Sequence, residues 1–223
     1  MREKYYGHAQ TEALEGMRKY GNDPLLKFYI GANKVLEGRI QEGISELELI
    51  KDKRDVNVCS LLALSYAHRM CKVVDKEAVQ MLESKVKEER KQAGELGLLF
   101  AGRYLFLIGK HDKAKEYLDR AIKMSNNQQA LITRGWLELE LGKENGVKKA
   151  AKLFEEAEGE TPDPDLYFGK AKLIELKRNF SGCLDMISKT IVNFHNFVPA
   201  LIEKMRLQLA LQDWDQVLDT ANR

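Results

Sequence analysis

A small residue recurs in this chain every 33 to 36 positions, and this period restricts the fold more than any other feature of the sequence. The series of small or medium-sized residues is Ala9, Gly43, Ala78, Ala114, Ala150, Cys183 and Val217. Four positions after each of them lies an apolar residue: Ala13, Leu47, Leu82, Leu118, Phe154, Ile187 and Ala221. Because residues i and i+4 share one face of a helix, the pattern predicts a recurring helix with one buried stripe.

A second series lies between the members of the first, and five of its six members are Gly or Ala: Gly31, Ala67, Gly102, Gly135, Ala171 and Met205. Small side chains at matched points let two helix axes approach closely. Each period is therefore predicted to be a pair of antiparallel helices, A followed by B, with Ala114 facing Gly102 in one pair. Gly38, Gly109 and Gly142 are predicted to end A helices, because glycine adopts the left-handed conformation at little cost.

The register assigns packing roles to one set of residues: Gly31, Gly43, Ala67, Ala78, Gly102, Ala114, Leu118, Ala121, Gly135, Ala150, Phe154, Ala171, Cys183, Ile187 and Val217.

All four prolines fall between the predicted pairs, and Pro24 and Pro164 each follow an aspartate. Aspartate as N-cap with proline as first helical residue is a signal for a helix start. The segment VNFHNFV at 192–198 resembles a strand in composition, but it lies where a junction between pairs is due. The prediction is an all-α fold, with residues 1–223 forming one solenoid fragment of antiparallel helix pairs. Its units are 1–22 (helix B only), 23–54, 55–91, 92–127, 128–161, 162–196 and 197–223 (truncated).

The stretch GKHDKAKEYLDRAIKM at 109–124 concentrates charged groups and a histidine, as a chemical site would. The repeat register assigns it to a helical elbow instead: Gly109 ends one helix, and Lys110, His111 and Asp112 form the turn. His111 occupies the place that Phe180 and Trp214 take in later repeats. It is predicted to be a packing residue and not a base.

Composition narrows the classes of function. Thirty-six Lys and Arg against thirty-four Asp and Glu give a net charge of +2, whereas a nucleic-acid binder usually carries a basic excess on one face. Three widely spaced cysteines fit a reducing compartment better than a disulfide framework. The most apolar segment, 96–109, is too short to span a bilayer and contains Arg103. The expectation is a cytoplasmic protein that binds no nucleic acid and does not span a membrane.

No pattern of catalytic, cofactor-binding or metal-binding residues stands out. His68 and Cys71 could be two ligands on one helix face, but a tetrahedral zinc site needs four and no second pair has matching spacing. The pairs Glu88–Glu89, Glu155–Glu156 and Asp163/Asp165 are adjacent on helices or flank a helix start, so they are expected to be solvated or structural. The chain is therefore predicted not to be an enzyme and to hold no metal or cofactor.

The repeat resembles the tetratricopeptide repeat, which has small residues at its eighth and twentieth positions, an apolar residue at the twenty-fourth and alanine at the twenty-seventh. Residues 95–128 carry the pattern best, and Ala121 and Ala157 occupy the twenty-seventh position. Cys183 and Val217 replace the twentieth-position alanine, and the turn HRMCKVVDKEA in the pair at 56–90 departs from the pattern. The resemblance implies a right-handed α-solenoid whose A helices line the concave face.

A finer resemblance is carried by longer strings: RKYGNDP (18–24), DVNVCSLLALSYAHRM (55–70), IGKHDKAKEYLDRAIKMS (108–125), IVNF (191–194) and LQLALQDWDQ (207–216). They are similar to the N-terminal region of the tetratricopeptide repeat protein 21 family, which includes the long repeat subunit of intraflagellar transport complex A. The resemblance implies a scaffold in retrograde ciliary transport that helps to bring cargo into cilia. It also implies partners among the subunits of that complex, a location at the cilium and its base, and a longer parent chain.

In the register of this resemblance, one set of A-helix residues points into the concave groove: Phe28, Val35, Leu99, Arg103, Phe106, Ile132, Trp136, Phe168 and Lys172. An apolar groove with isolated cations suits an amphipathic helix or an extended segment of a partner. The same residues could instead seal contacts between neighbouring A helices. Because Phe28, Leu99, Ile132 and Phe168 stand where chaperone-binding repeats place Lys and Asn, no carboxylate clamp is expected.

Two functions remain open at this stage. The chain could be a protein-interaction scaffold of the ciliary complex, or an accessory helical-repeat domain of a larger enzyme or of another complex. The terminal helices carry apolar side chains without a covering repeat, such as Tyr5, Ala9, Val217 and Leu218. Weak self-association through these uncapped ends is therefore expected.

Overall fold

The computed structural model describes residues 4–159, 161–195 and 197–222. This part of the chain forms thirteen helices and contains no strand, so the all-α prediction is confirmed. The helices are α1 (Tyr6–Tyr20), α2 (Pro24–Leu36), α3 (Ile40–Glu48), α4 (Asn57–Met70), α5 (Lys76–Gln92), α6 (Glu95–Leu107), α7 (His111–Ser125), α8 (Gln128–Leu141), α9 (Gly146–Glu156), α10 (Pro164–Leu176), α11 (Phe180–Asn193), α12 (Val198–Ala210) and α13 (Trp214–Ala221).

The chain divides into two compact units, of which the first ends at Asn126 and the second begins at Asn127. In the first unit α1 packs on α2, and the pairs α2/α3, α4/α5 and α6/α7 follow. The second unit contains the pairs α8/α9, α10/α11 and α12/α13. That all of these repeats form one solenoid fragment, with the unit boundaries given above, stays a prediction.

The helix starts follow the local signals of the sequence. Asp23 and Asp163 accept hydrogen bonds from backbone N–H groups of the first turn of α2 and α10, and a proline is the first residue of each helix. A carboxylate cap supplies a partner for an N–H group that the helix leaves unpaired.

The described residues of the segment 192–198 do not form a strand. They complete α11, form a short connection and begin α12.

Five of the six turns from A to B helices close with a left-handed residue, the exception being the turn between α4 and α5. Gly38, Gly109 and Gly142 have φ angles of 90°, 73° and 59°. At the same place in the last two pairs stand Arg178 and Gln212, each with a φ angle of 60°. The backbone of these two residues is therefore left-handed, a conformation that is unfavourable for any residue with a Cβ atom.

The turn at Gly109 is shorter than the sequence suggested. The N–H of Lys110 donates to the carbonyl of Leu105, which closes the end of α6, and α7 begins directly at His111. His111 and Asp112 are therefore helical and do not lie in the turn. The His111 ring meets the Phe106 ring edge-on, with centroids 6.0 Å apart.

In the pairs α2/α3, α6/α7 and α8/α9 a large B-helix side chain packs against a glycine of the A helix. A Cβ atom on Gly31 would lie 2.9 Å from Leu47, and one on Gly102 would lie 2.8 Å from Leu118. Leu118 supplies all three of the atoms nearest to that Cβ position on Gly102. In the first pair a Cβ atom on Gly43 would lie 2.8 Å from the carbonyl oxygen of Gly31, and these two residues correspond to Ala114 and Gly102. That Ala114 faces Gly102 stays a prediction.

Phe154 shows the same contact twice. Its ring is fully buried, and Cβ atoms added to Gly135 of α8 or Gly169 of α10 would each lie 2.5 Å from a ring carbon. The phenyl ring therefore fills the space that two glycines leave open in neighbouring A helices. This contact joins the pair α8/α9 to the following helix α10.

Substituting two helical glycines by alanine should have opposite effects on stability. Gly135→Ala should lower the free energy of unfolding by about 1–3 kcal/mol, because the added methyl group overlaps Phe154. Gly97→Ala should raise it by about 0.5–1 kcal/mol, because alanine favours the helix and its Cβ atom would meet no neighbour closer than 3.6 Å. Urea unfolding followed by circular dichroism measures both. Equal signs for the two variants would show that the register is wrong.

Relieving the left-handed strain at Arg178 should stabilise the second unit. Arg178→Gly should raise the free energy of unfolding by about 0.5–1 kcal/mol, since the strain of a Cβ atom exceeds the entropy that glycine loses on folding. The matched control is Gly109→Ala, which introduces the same strain and should lower stability by about 1 kcal/mol or more. A loss of stability in Arg178→Gly would contradict the turn geometry.

Candidate protein-interaction surface

Five of the nine predicted groove residues are buried: Phe28, Val35, Leu99, Phe106 and Ile132, none of them more than 9% exposed. The ring of Phe28 on α2 packs edge-on against Tyr104 of α6 at a centroid distance of 5.7 Å. Phe28 is thus covered by a side chain of α6, the second A helix after its own. The five side chains seal contacts inside the protein and are not accessible to a partner.

The other four predicted groove residues keep some exposure. Arg103 lies in the first unit and is half-buried. In the second unit the indole N–H of Trp136 donates to the carbonyl of Asp165 at 3.1 Å, and Phe168 packs edge-on against Phe197. Lys172 is exposed. The accessible part of the predicted surface in the second unit therefore consists of two half-buried aromatic residues and a lysine.

Lys172 belongs to a charge network that joins α10 to α12. One oxygen of the Glu175 carboxylate accepts a hydrogen bond from Lys172 Nζ at 2.8 Å, and the other accepts one from Arg206 Nη2 at 2.7 Å. Arg206 also donates through Nε and Nη2 to the two oxygens of Glu203, at 2.9 and 2.6 Å. We call Lys172, Glu175, Glu203 and Arg206 the charge network.

The acids of the charge network lie deeper than its cations. The Glu175 side chain is 13% exposed and that of Glu203 is 26% exposed, whereas Lys172 and Arg206 are each 46% exposed. Burial by itself would raise the pKa of Glu175, but the hydrogen bonds and positive charges of Lys172 and Arg206 outweigh it and hold this pKa below its usual value. The network therefore presents its positive groups outward.

Sequence reasoning missed Arg206, Glu175 and Glu203, although a signal for Arg206 was present. Arg103, Trp136, Lys172 and Arg206 each directly follow a member of the second residue series, at Gly102, Gly135, Ala171 and Met205. All four of these side chains are at least partly exposed. Extending the register to the last pair would have found Arg206, but its ionic partners required the packing of α10 on α12.

Comparison with known proteins decides the family. The profile described as "Tetratricopeptide repeat protein 21 N-terminal ARM repeat" matches residues 1–218. The chain belongs to the tetratricopeptide repeat protein 21 family. It is 47% identical over 222 residues to human tetratricopeptide repeat protein 21B and 42% identical to human tetratricopeptide repeat protein 21A. Each alignment covers 99% of this chain and 17% of the relative, so the chain spans about a sixth of the length of these relatives.

Solved structures show that this member of the family has the fold of tetratricopeptide-type solenoids. Yeast Tom70 aligns with a TM-score of 0.58 and 13% identity, over 91% of this chain and 43% of Tom70. A tetratricopeptide repeat protein from Parabacteroides merdae aligns with a TM-score of 0.57 and 16% identity, over 96% of this chain and 84% of the other. Both resemblances concern the fold alone.

The predicted packing residues lie inside the family fold almost throughout. Thirteen of the fifteen are buried, and Ala78 and Val217 are half-buried. The apolar side chains Trp214 and Leu218 of α13 are 62% and 64% exposed, and Tyr5 before α1 is 59% exposed. Self-association through these residues stays a prediction.

His68 and Cys71 do not form part of a larger ligand set in the described part of the chain, where no three His, Cys, Asp or Glu side chains are placed to share a metal. The Cys71 sulfur accepts a hydrogen bond from Gln41 at 3.7 Å and lies 3.5 Å from the carbonyl of Ala67. Nor does any helix within the described ranges combine the length and apolarity that crossing a membrane requires.

The three thiols should differ in reactivity. Burial raises the pKa of the Cys59 thiol far above its usual value, and burial together with the nearby Glu175 and Glu203 charges raises the pKa of Cys183 to about 11. Because the thiolate is the reactive form, iodoacetamide at about pH 8 should label Cys71 at least about tenfold faster than the other two. Mass spectrometry of timed samples measures this, with urea-unfolded protein as the control in which all three react alike. Labelling of Cys183 as fast as Cys71 would contradict its burial.

Proposed function

We propose that this chain is a protein-interaction scaffold and forms part of intraflagellar transport complex A. In this role it acts in retrograde ciliary transport and in bringing cargo into cilia, in the cytoplasm at the cilium and its base. The observation that carries the proposal is the match to the tetratricopeptide repeat protein 21 family over residues 1–218. The helical-repeat fold supports it, because stacked helix pairs offer an extended surface to other proteins.

The partners are other protein subunits of the complex, and the chain needs no catalytic group, metal or cofactor for this role. The contact surface in the second unit is the side of α10 that carries Phe168 and Lys172, together with the neighbouring Trp136 of α8. These residues suit a protein interface, because the half-buried aromatic side chains contribute contact area with little further loss of freedom and the exposed lysine contributes directed hydrogen bonds.

Affinity purification from ciliated cells tests this proposal. The tagged chain should enrich subunits of complex A, as measured by quantitative mass spectrometry, and its fluorescent fusion should accumulate at the ciliary base. Lys172→Glu should reduce the enrichment by about threefold or more, because it reverses a charge at the contact surface. The matched control Lys189→Glu reverses the charge of an exposed lysine on α11 and should leave the enrichment unchanged.

Two results would overturn the proposal. A folded tagged chain that enriches no subunit of complex A would reject the ciliary role. Enrichment of one enzyme in a fixed ratio would favour the alternative of an accessory domain. Equal enrichment by the wild type, Lys172→Glu and Lys189→Glu would place the contact on a different surface.

A further inference from the structure

The charge network has hydrogen-bonding capacity that its own acids do not use. A guanidinium group has five N–H donors and an ammonium group three. Among the described residues, Arg206 bonds through Nε and Nη2, and Lys172 makes one bond, to Glu175. Both donors of Arg206 Nη1 and two donors of the Lys172 ammonium group remain without a protein partner in the described part of the chain.

The shared carboxylate of Glu175 holds both cations. Lys172 Nζ and Arg206 Nη2 each bond a different oxygen of this group. A second carboxylate that approaches from the solvent side can accept from the donors that remain, at Arg206 Nη1 and at the Lys172 ammonium group. The network is neutral in sum, but its two acids are recessed beneath the cations, so an approaching group meets positive charge first.

We propose that Lys172 and Arg206 are a receptor for an Asp or Glu side chain of a partner segment, with Phe168 as the neighbouring apolar contact. This inference rests on the proposed function and names the chemistry of the partner that binds this surface. The preformed bonds to Glu175 and Glu203 hold both cations in place, so binding loses less side-chain entropy than it would with free surface lysines. The partner segment is therefore acidic with an adjacent apolar residue.

A selection from a phage-displayed library of random dodecapeptides tests the inference with the full chain as the target. Enriched peptides should contain Asp or Glu next to Leu, Ile or Phe. Their dissociation constants, measured by fluorescence polarisation, should rise by about two- to fivefold in Lys172→Gln and in Arg206→Gln, the range for a partly exposed ion pair. Binding should also weaken with added salt, because the cations are partly exposed.

A variant with the opposite expected effect separates binding from structural support. Glu203→Gln removes a recessed negative charge but leaves Glu175 in place, so acidic peptides should bind it about twofold more tightly. If the network only stabilised the packing of α10 on α12, Glu203→Gln would change the affinity in the same direction as Lys172→Gln and Arg206→Gln, or none of the three variants would change it. Lys189→Gln is the control for loss of an exposed lysine outside the network and should not change affinity.

The outcomes distinguish this inference from the broader function. No enriched peptides, enriched peptides without acidic residues, or affinities that Lys172→Gln and Arg206→Gln leave unchanged would reject the carboxylate receptor. Thermal unfolding of each variant shows whether a loss of affinity reflects loss of the fold, in which case Glu203→Gln decides the question. The scaffold role in the ciliary complex is judged separately, by purification from ciliated cells.

Discussion

The contact of a large B-helix side chain with a small A-helix residue is the constraint on which the rest of this structure depends. Leu47 covers Gly31, Leu118 covers Gly102, and Phe154 fills the space at both Gly135 and Gly169. Protein interiors are packed as densely as organic crystals, so a missing Cβ atom is useful only where another side chain occupies its place. The residues that make this contact recur in the sequence with a period of 33 to 36 residues.

Close approach of the helices also decides which residues can function. Helices α4 and α6 each contain eight buried residues, which exceeds what one face of a helix can supply. The A-helix positions that an open solenoid would expose are therefore largely sealed, as Leu99 and Phe106 show. What stays accessible in α6, α8, α10 and α12 is the residue directly after the member of the second series, where Arg103, Trp136, Lys172 and Arg206 lie.

These partly exposed residues connect the fold to the proposed scaffold role. The second unit combines aromatic side chains with cations that recessed acids hold in position, and this arrangement suits the proposed contact with a partner protein. Family membership supports the scaffold role, and the geometry supports the proposed chemistry of the partner. A helical-repeat protein can bind different partners with one fold because the packing residues and the contact residues occupy different positions of the same repeat.

The sequence by itself determined the helical class, the pairing of A and B helices and the turns at Gly38, Gly109 and Gly142. These features depend on i, i+4 spacing and on local backbone chemistry, which a single chain segment contains. Tertiary structure alone decided that Leu118 covers Gly102, that five predicted groove residues are buried, and that Arg206 bonds Glu175, a residue 31 positions earlier. Exposure and ion pairing depend on the distance between helices that are remote in sequence, and the repeat pattern does not contain that distance.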